Sequence, residues 1–261
     1  MVEAAGPKPA AWTSGNHGRA LDDDALFVIG NTLFTVYHEL GHALIDMLNL
    51  PVIGREEDAV DGFAAVTMIP DTPDALRDAL IVAVADGWHA QSLLTGDDGE
   101  KPYWDEHALD EQRYFAIVCL MVGSDQNGFF DFALEAGVPE ERIETCAYDF
   151  ERMKNGWKRL LAPYRSGAGG SAQPVQPFID LRFDAPKPDQ RGVYDLIRED
   201  GTLERAVLKI ADHIELPMPV TIRFAACDDA NAYWSPDQRE VTICYELIDD
   251  FEAMLLEANA G

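Results

Sequence analysis

The chain has 261 residues, 47% of them hydrophobic and 10% aromatic, enough apolar material for one substantial core or two small ones and too much for a disordered chain. Its 20 basic residues against 47 acidic ones leave a formal charge of -27, a field that repels phosphate backbones and anionic membrane surfaces and argues against nucleic acid as a partner. The acids are scattered rather than massed in a tail, which reads as a solvated surface and selects no substrate.

The opening MVEAAGPKPAAW lacks the basic start and apolar middle of a secretory signal, although a processed chain would look the same. Residues 22–50 then carry apolar side chains at helical spacing and predict one long helix, closed by Leu50-Pro51. Its low-charge part holds Asn31, Thr32, Thr35, His38, Glu39, His42 and Asp46, which a lipid-facing span would not tolerate, so it is a core helix and no membrane span is expected. A short loop, PVIGRE, leads to a second helix over 58–68 that stops before Pro70. Thr72, Pro73 and Asp74 form a capping pattern for a third over 75–94. TGDDGEKP reads as a loop, 107–123 as another helix, and 139–161 as one or two more.

The tract RSGAGGSAQPVQP, 165–177, is the best linker candidate. It divides the chain into a helical region at 1–164 and a smaller α+β region at 178–261. In the latter, 178–183 alternates like a strand, 193–214 like an amphipathic helix and 220–225 (VTIRFA) like a strand again. Residues 231–234 and 239–244 flank the turn sequence SPDQ and read as a hairpin, followed by a final helix over 245–258. The fold class expected is α+β, mainly helical, with a small sheet from the C-terminal region. No internal repeat is apparent.

The chemistry concentrates in VYHELGHALIDMLNLPVIGREEDAVDGFAA, 36–65. His38 and His42 stand one turn apart on one helix face and can aim a ring nitrogen at the same ion; Glu39, about 100° round the helix, can reach water at that ion without ligating it. The bland alternative makes both histidines satisfied core residues and Glu39 a solvated one. Against it, the flanks Phe34, Val36, Tyr37, Leu40, Ala43, Leu44 and Ile45 are apolar, leaving the polar groups in a dry place without a partner such as a metal. Gly41, which costs about 1 kcal/mol relative to alanine inside a helix, is easier to understand if something packs closely there.

A third histidine in the longer HExxHxxGxxH motif would need glycine at 45 and histidine at 48, where the chain has Ile45 and Leu48. The nearby acids are Glu56, Glu57, Asp58 and Asp61. Glu57 and Asp61 share a helix face beside Val60, Phe63 and Ala64. Glu57 is therefore assigned as the third ligand, with Asp58 or Asp61 as substitutes, and Asp61 as the acceptor that orients a ligand histidine. Glu56 and Asp58 read as a charged first turn favoured by the helix dipole.

Cys119, Cys146, Cys227 and Cys244 lack the paired spacing of a zinc site. They fall into two local couples, Cys119 with Cys146 and Cys227 with Cys244, which suit two disulfides in an oxidising compartment; four reduced thiols in cytosol are the other reading. His107, at the expected start of its helix beside Tyr103 and Arg113, could contact substrate or stabilise a transition state, or could be a surface cap. Tyr103 and Tyr233 are further candidates for such contacts. His17, His89 and His213 read as structural or exposed, and no GxSxG, phosphate loop or dinucleotide fingerprint is present.

HELGH followed by Glu57-x-x-x-Asp61 resembles the gluzincin class of zinc metallopeptidases, and ELGHALIDMLNLPVIGREEDAVDGFA is similar to the bacterial metallopeptidase-type family DUF4344. CDDANAYWSPDQREVTICYEL, 227–247, and YWDEHALDEQRYFAIVCLMVGSD, 103–125, resemble further blocks of that family. The resemblance implies a zincin-like fold and hydrolysis of peptide or protein substrates, with one Zn2+ ion on His38, His42 and Glu57 and with Glu39 as general base. It also implies a bacterial origin and, with the cysteines, a periplasmic or secreted location. In many relatives the hairpin precedes the catalytic helix, whereas here it follows the linker. The tail then either completes the active-site domain, with residues 231–234 bordering the cleft, or stands as a separate module. The alternative function is a catalytically silent zinc-binding domain that recognises a protein partner, with the hairpin edge as one possible contact surface.

Overall fold

A computed structural model of the protein describes residues 21–72, 74–95, 101, 103–165, 179–199, 201–211, 214 and 216–260. The linker beyond Arg165, most of the TGDDGEKP loop, Pro73 of the capping pattern, Phe178, His17 and His213 lie outside them.

Helix α1 (Asp23–Leu48) starts where the Asp22 carboxylate accepts from the Ala25 backbone N–H at 2.9 Å, the usual way an N-cap satisfies an orphan donor. It ends two residues before the expected Leu50-Pro51 stop, because Asn49 takes a left-handed conformation (φ 48°) and turns its N–H back onto the last turn. Nearly every residue of α1 from Phe27 to Ile45 is buried, as befits a helix surrounded by neighbours rather than lying on a surface. Helix α2 (Glu56–Met68) begins two residues earlier than expected, taking its acids into the first turn. Helix α3 (Ala75–Thr95) follows its expected span.

Helix α4 (Asp110–Ser124) starts three residues later than expected, so His107 lies in the turn before it and not on the helix. A short helix absent from the sequence reading, α5 (Gln126–Glu135), is started by Asp125, whose carboxylate accepts from the Asn127 and Gly128 amides. Helix α6 (Glu140–Leu160) is one continuous element.

In the C-terminal region, strand β1 (Ile179–Phe183) is followed by two helices where one was expected, α7 (Arg191–Glu199) and α8 (Thr202–Ala211). Gly201 between them sits at φ +67°, a conformation a continuing helix cannot contain. The pair forms the crossover to β2 (Val220–Ala225), which β1 joins in parallel. Strands β3 (Ala232–Ser235) and β4 (Glu240–Cys244) make the expected hairpin, and α9 (Tyr245–Ala260) follows. The sheet order is β1-β2-β4-β3, with β4 parallel to β2 and β3 an antiparallel edge.

The fold is α+β and mainly helical. One hydrophobic cluster runs from Val28, Leu40 and Leu44 on α1 through Val60, Ile81 and Val118 to Ile222, Phe224, Ile243 and Tyr245 in the C-terminal region. Polar ties cross the same boundary: the Tyr37 hydroxyl donates to the Ala206 carbonyl at 2.9 Å, and the Trp234 indole donates to Asp46 at 3.1 Å. No helix among the described residues is long and apolar enough to cross a membrane.

Candidate metal centre

The site is built where α1 and α2 press together at Gly41. A Cβ placed there would lie 2.8 and 2.9 Å from Val60 Cγ1 and Cβ, so the glycine is what lets the two helices approach, the close packing expected of it from the sequence. From the other side α2 is braced by α6: the Trp157 indole donates to the Ala59 carbonyl at 3.1 Å and its ring packs 4.6 Å from Phe63. Close approach sets Glu57 opposite His38 and His42.

Each histidine is held by a carboxylate behind it. His38 Nδ1 lies 2.8 Å from Asp61 Oδ1, and His42 Nδ1 lies 2.8 Å from Glu56 Oε1. A carboxylate on Nδ1 fixes the proton there and leaves the Nε2 lone pair for the other side. Both Nε2 atoms then point at the same place: His38 Nε2 is 3.1 Å from Glu57 Oε2, His42 Nε2 is 3.4 Å from Glu57 Oε1, and the two Nε2 atoms are 3.3 Å apart. Lone pairs facing one another and a carboxylate at such distances repel unless a cation sits among them. Zinc bonds of about 2.0–2.1 Å in a tetrahedron place neighbouring donor atoms about 3.3–3.4 Å apart, which the three side chains already satisfy closely.

Glu57 Oε2 itself is buried and makes no hydrogen bond, a condition shared among the described residues only by Thr32 Oγ1. A buried carboxylate oxygen without a donor is expensive, and a metal ligand is the role that removes the cost. His38, His42 and Glu57 therefore fit a divalent ion in donor type, spacing and tautomer.

The electrostatics agree. Burial alone would lower the pKa of both histidines, yet the surrounding carboxylates reverse it: Asp61 and Glu57 push His38 up, and Glu57 and Glu56 push His42 up to about 9. Glu57 is likewise held well below the carboxylate range, its burial outweighed by the two histidines beside it. The pocket carries more negative charge than its own residues neutralise, a surplus that a divalent cation would match.

Glu39 lies on the cleft side of α1 and is 8% exposed. Burial raises its pKa, opposed by the two histidines and by the Trp234 backbone amide that faces it. That amide is available because of the strand register. Cys244 N–H bonds the Asn231 carbonyl at 3.0 Å, so Asn231, Tyr233 and Ser235 pair inward to β4 while the main-chain groups of Ala232 and Trp234 turn outward to α1. The edge strand thus forms one wall of a cleft of about 680 Å³ whose floor is His38, Glu39, His42 and Glu57, with His107 and Tyr233 at its rim.

Of the residues singled out in the sequence, His38, Glu39, His42, Glu57 and Asp61 converge, and His107 and Tyr233 join them at the cleft. Tyr103 does not line it and remains 79% exposed. Glu56 is a correction: beyond its place in the first turn of α2, it holds His42. Asp58 instead pairs with Arg55 at 3.0 Å. Arg113 escaped notice as part of the centre. Its guanidinium donates to both oxygens of Asp61 at 2.7 and 2.6 Å and stacks 3.6 Å over Trp88, so it fixes the carboxylate that fixes His38. Its position on α4, 52 residues from Asp61, gives no local signal. His89 packs beside Tyr114, its ring 5.0 Å away.

Both disulfides form, Cys119–Cys146 joining α4 to α6 and Cys227–Cys244 joining the end of β4 to the segment after β2, and no free cysteine remains. Such bonds suit an oxidising compartment. Glu246 beside the second is fully engaged with the Cys227 and Asp228 amides and Lys187, and with both sulfurs bonded to each other that cluster offers no thiolate to a metal.

Comparison with curated proteins and with solved structures returns no match. Residues 12–161 and 183–260 match the family DUF4344, described as "putative metallopeptidase", and with both the helical region and most of the C-terminal region covered, the chain belongs to that family.

Proposed function

We propose that the protein is a zinc-dependent peptidase in which His38, His42 and Glu57 hold one ion and Glu39 is the general base. The observation that carries the reading is the convergence of His38 Nε2 and His42 Nε2 on the Glu57 carboxylate, with a separate buried carboxylate, Glu39, beside them. Zinc in such a site supplies a Lewis acid for the scissile carbonyl and lowers the pKa of attacking water. Glu39 takes the proton of that water and returns it to the leaving amine; a carboxylate whose pKa is raised by burial is the better base for it. Asp61, held by Arg113, and Glu56 keep the two imidazoles in the ligating tautomer.

An extended peptide would add to the outer edge of β3, which gives main-chain binding next to Glu39. On this reading residues 178–261 complete the catalytic domain, because β3 is a wall of the cleft. The two disulfides support a periplasmic or extracellular location for such an enzyme.

Metal content and cleavage of an unfolded protein substrate, measured for the native chain and for Glu39→Gln, test the reading. Zinc in both, with cleavage in the native protein falling at least ~100-fold in the variant, is the expected result. Zinc without cleavage in either would make the domain a metal-bearing binding module, and a native chain that takes up no zinc would end both readings.

A further inference from the structure

The rim of the cleft contains a third histidine built like the first two. His107 sits on the turn over 103–109, and its Nδ1 lies 3.1 Å from Asp105 Oδ1, which also accepts the His107 backbone N–H at 2.9 Å. The same logic that applies to His38 with Asp61 and to His42 with Glu56 puts the His107 proton on Nδ1 and the lone pair on Nε2. That Nε2 lies 3.1 Å from Glu57 Oε2, the buried oxygen without a hydrogen bond. Ligating atoms of His38, Glu57 and His107 all fall within 4.8 Å of one another. Three carboxylate-backed imidazoles therefore converge on one carboxylate: His38 Nε2 and His107 Nε2 each lie 3.1 Å from Glu57 Oε2, and His42 Nε2 lies 3.4 Å from Glu57 Oε1.

We propose that His107 is a fourth, displaceable protein ligand, so that the resting metal centre is closed by the chain itself and opens when the 103–109 turn withdraws. A centre with four protein ligands has no position for water and is the structural type; one with three and an open position is the catalytic type. The turn is suited to move between them. The His107 side chain is 44% exposed, Tyr103 and Trp104 on the same turn are 79% and 86% exposed, and a hold on it from α2 is a 3.3 Å hydrogen bond from the partly exposed Arg55 to the His107 carbonyl. His38, by contrast, is 7% exposed within α1. The two exposed aromatics give an arriving chain something to engage, which would draw the turn aside as substrate enters.

The inference rests on zinc binding by His38, His42 and Glu57, and its test separates the two. Native protein and His107→Ala are loaded with zinc, and affinity is measured by chelator competition; both are then loaded with cobalt and their visible spectra recorded. Thermal unfolding of the metal-free forms checks that the exposed substitution leaves the fold intact. Expected are a loss of zinc affinity of tenfold or more in the variant and a changed cobalt spectrum that added imidazole moves back toward the native one. Equal affinity with an unchanged cobalt spectrum would overturn the assignment while leaving the three-ligand centre standing, and a fall in cleavage alongside it would make His107 a substrate contact instead. Failure of the native chain to bind zinc at all would remove both.

Discussion

The floor of the cleft and its rim are made in opposite ways. On the floor, His38, Glu39 and Glu57 are largely buried, the imidazoles of His38 and His42 each have a carboxylate behind them, and Asp61 has Arg113 and Trp88 behind it in turn. At the rim, His107 and Tyr233 are partly open to solvent and tied by single exposed hydrogen bonds or strand pairing. A rigid floor holds donor atoms at fixed separations, which metal affinity requires; a loosely held rim admits a chain and lets it leave. The contrast implies that floor substitutions should change metal binding and folding together, and that substitutions in the β3 wall of the rim should change turnover while sparing both.

Arg113→Ala is the severest test of the floor short of removing a ligand. It strips the partner from Asp61, a carboxylate only 13% exposed at its side chain, and leaves that charge to His38 alone. Breaking a buried pair from one side costs about 3–5 kcal/mol, and loosening a ligand's orienting partner lowers metal affinity about 10–100-fold. Urea unfolding of the metal-free protein and zinc competition should therefore both respond. If stability drops and affinity does not, Arg113 is a packing residue and the chain of support from Trp88 through Asp61 to His38 has no bearing on the metal.

Gly41→Ala should act on the same floor by a different route and more weakly. The added methyl meets Val60 close to its backbone, where little can give. Overpacking of this kind costs about 1–3 kcal/mol, offset by the ~1 kcal/mol by which alanine favours a helix. A net loss of about 1–2 kcal/mol by thermal unfolding, with a weaker grip on zinc as α2 is pushed away, is the expected outcome. A stabilised variant would mean that α1 and α2 separate without cost.

The floor is also the part that could be read directly from the sequence. The proposed ligands and Glu39 lie between residues 38 and 57, with Asp61 one helical turn further on, where helix periodicity alone decides which side chains share a face. Elimination of a third histidine at Leu48 left the acids of α2, and the spacing of Glu57 and Asp61 did the rest. Glu56 was half legible: a first-turn acid is explained by the helix dipole, and nothing local reveals that α2 folds back far enough for it to reach His42. The support Arg113 gives Asp61 and the approach of His107 to Glu57 were not legible, since both depend on how α4 and the turn before it dock some fifty residues away. The same limit explains the fold-level differences. The break between α7 and α8 turns on a single positive φ at Gly201, and α5 is short, with Asp125 capping it in the space left after α4.

Trp234→Phe probes the rim and should have the smallest effect. The indole N–H that reaches Asp46 is lost while the ring is largely kept, so stability should fall by no more than about 1 kcal/mol, the net worth of one exposed hydrogen bond. Zinc affinity should not change, because β3 contributes none of the atoms round Glu57. What the hydrogen bond does provide is the register of the edge strand against α1, and with it the placement of the Trp234 amide beside Glu39. Loosening it should raise KM for peptide substrates several-fold and lower kcat less, since an incoming strand meets a wall that is no longer fixed while the floor beneath is intact. A loss of zinc affinity comparable to that of Arg113→Ala would show that the edge strand supports the metal centre, and the division between a rigid floor and a yielding rim would then be in the wrong place.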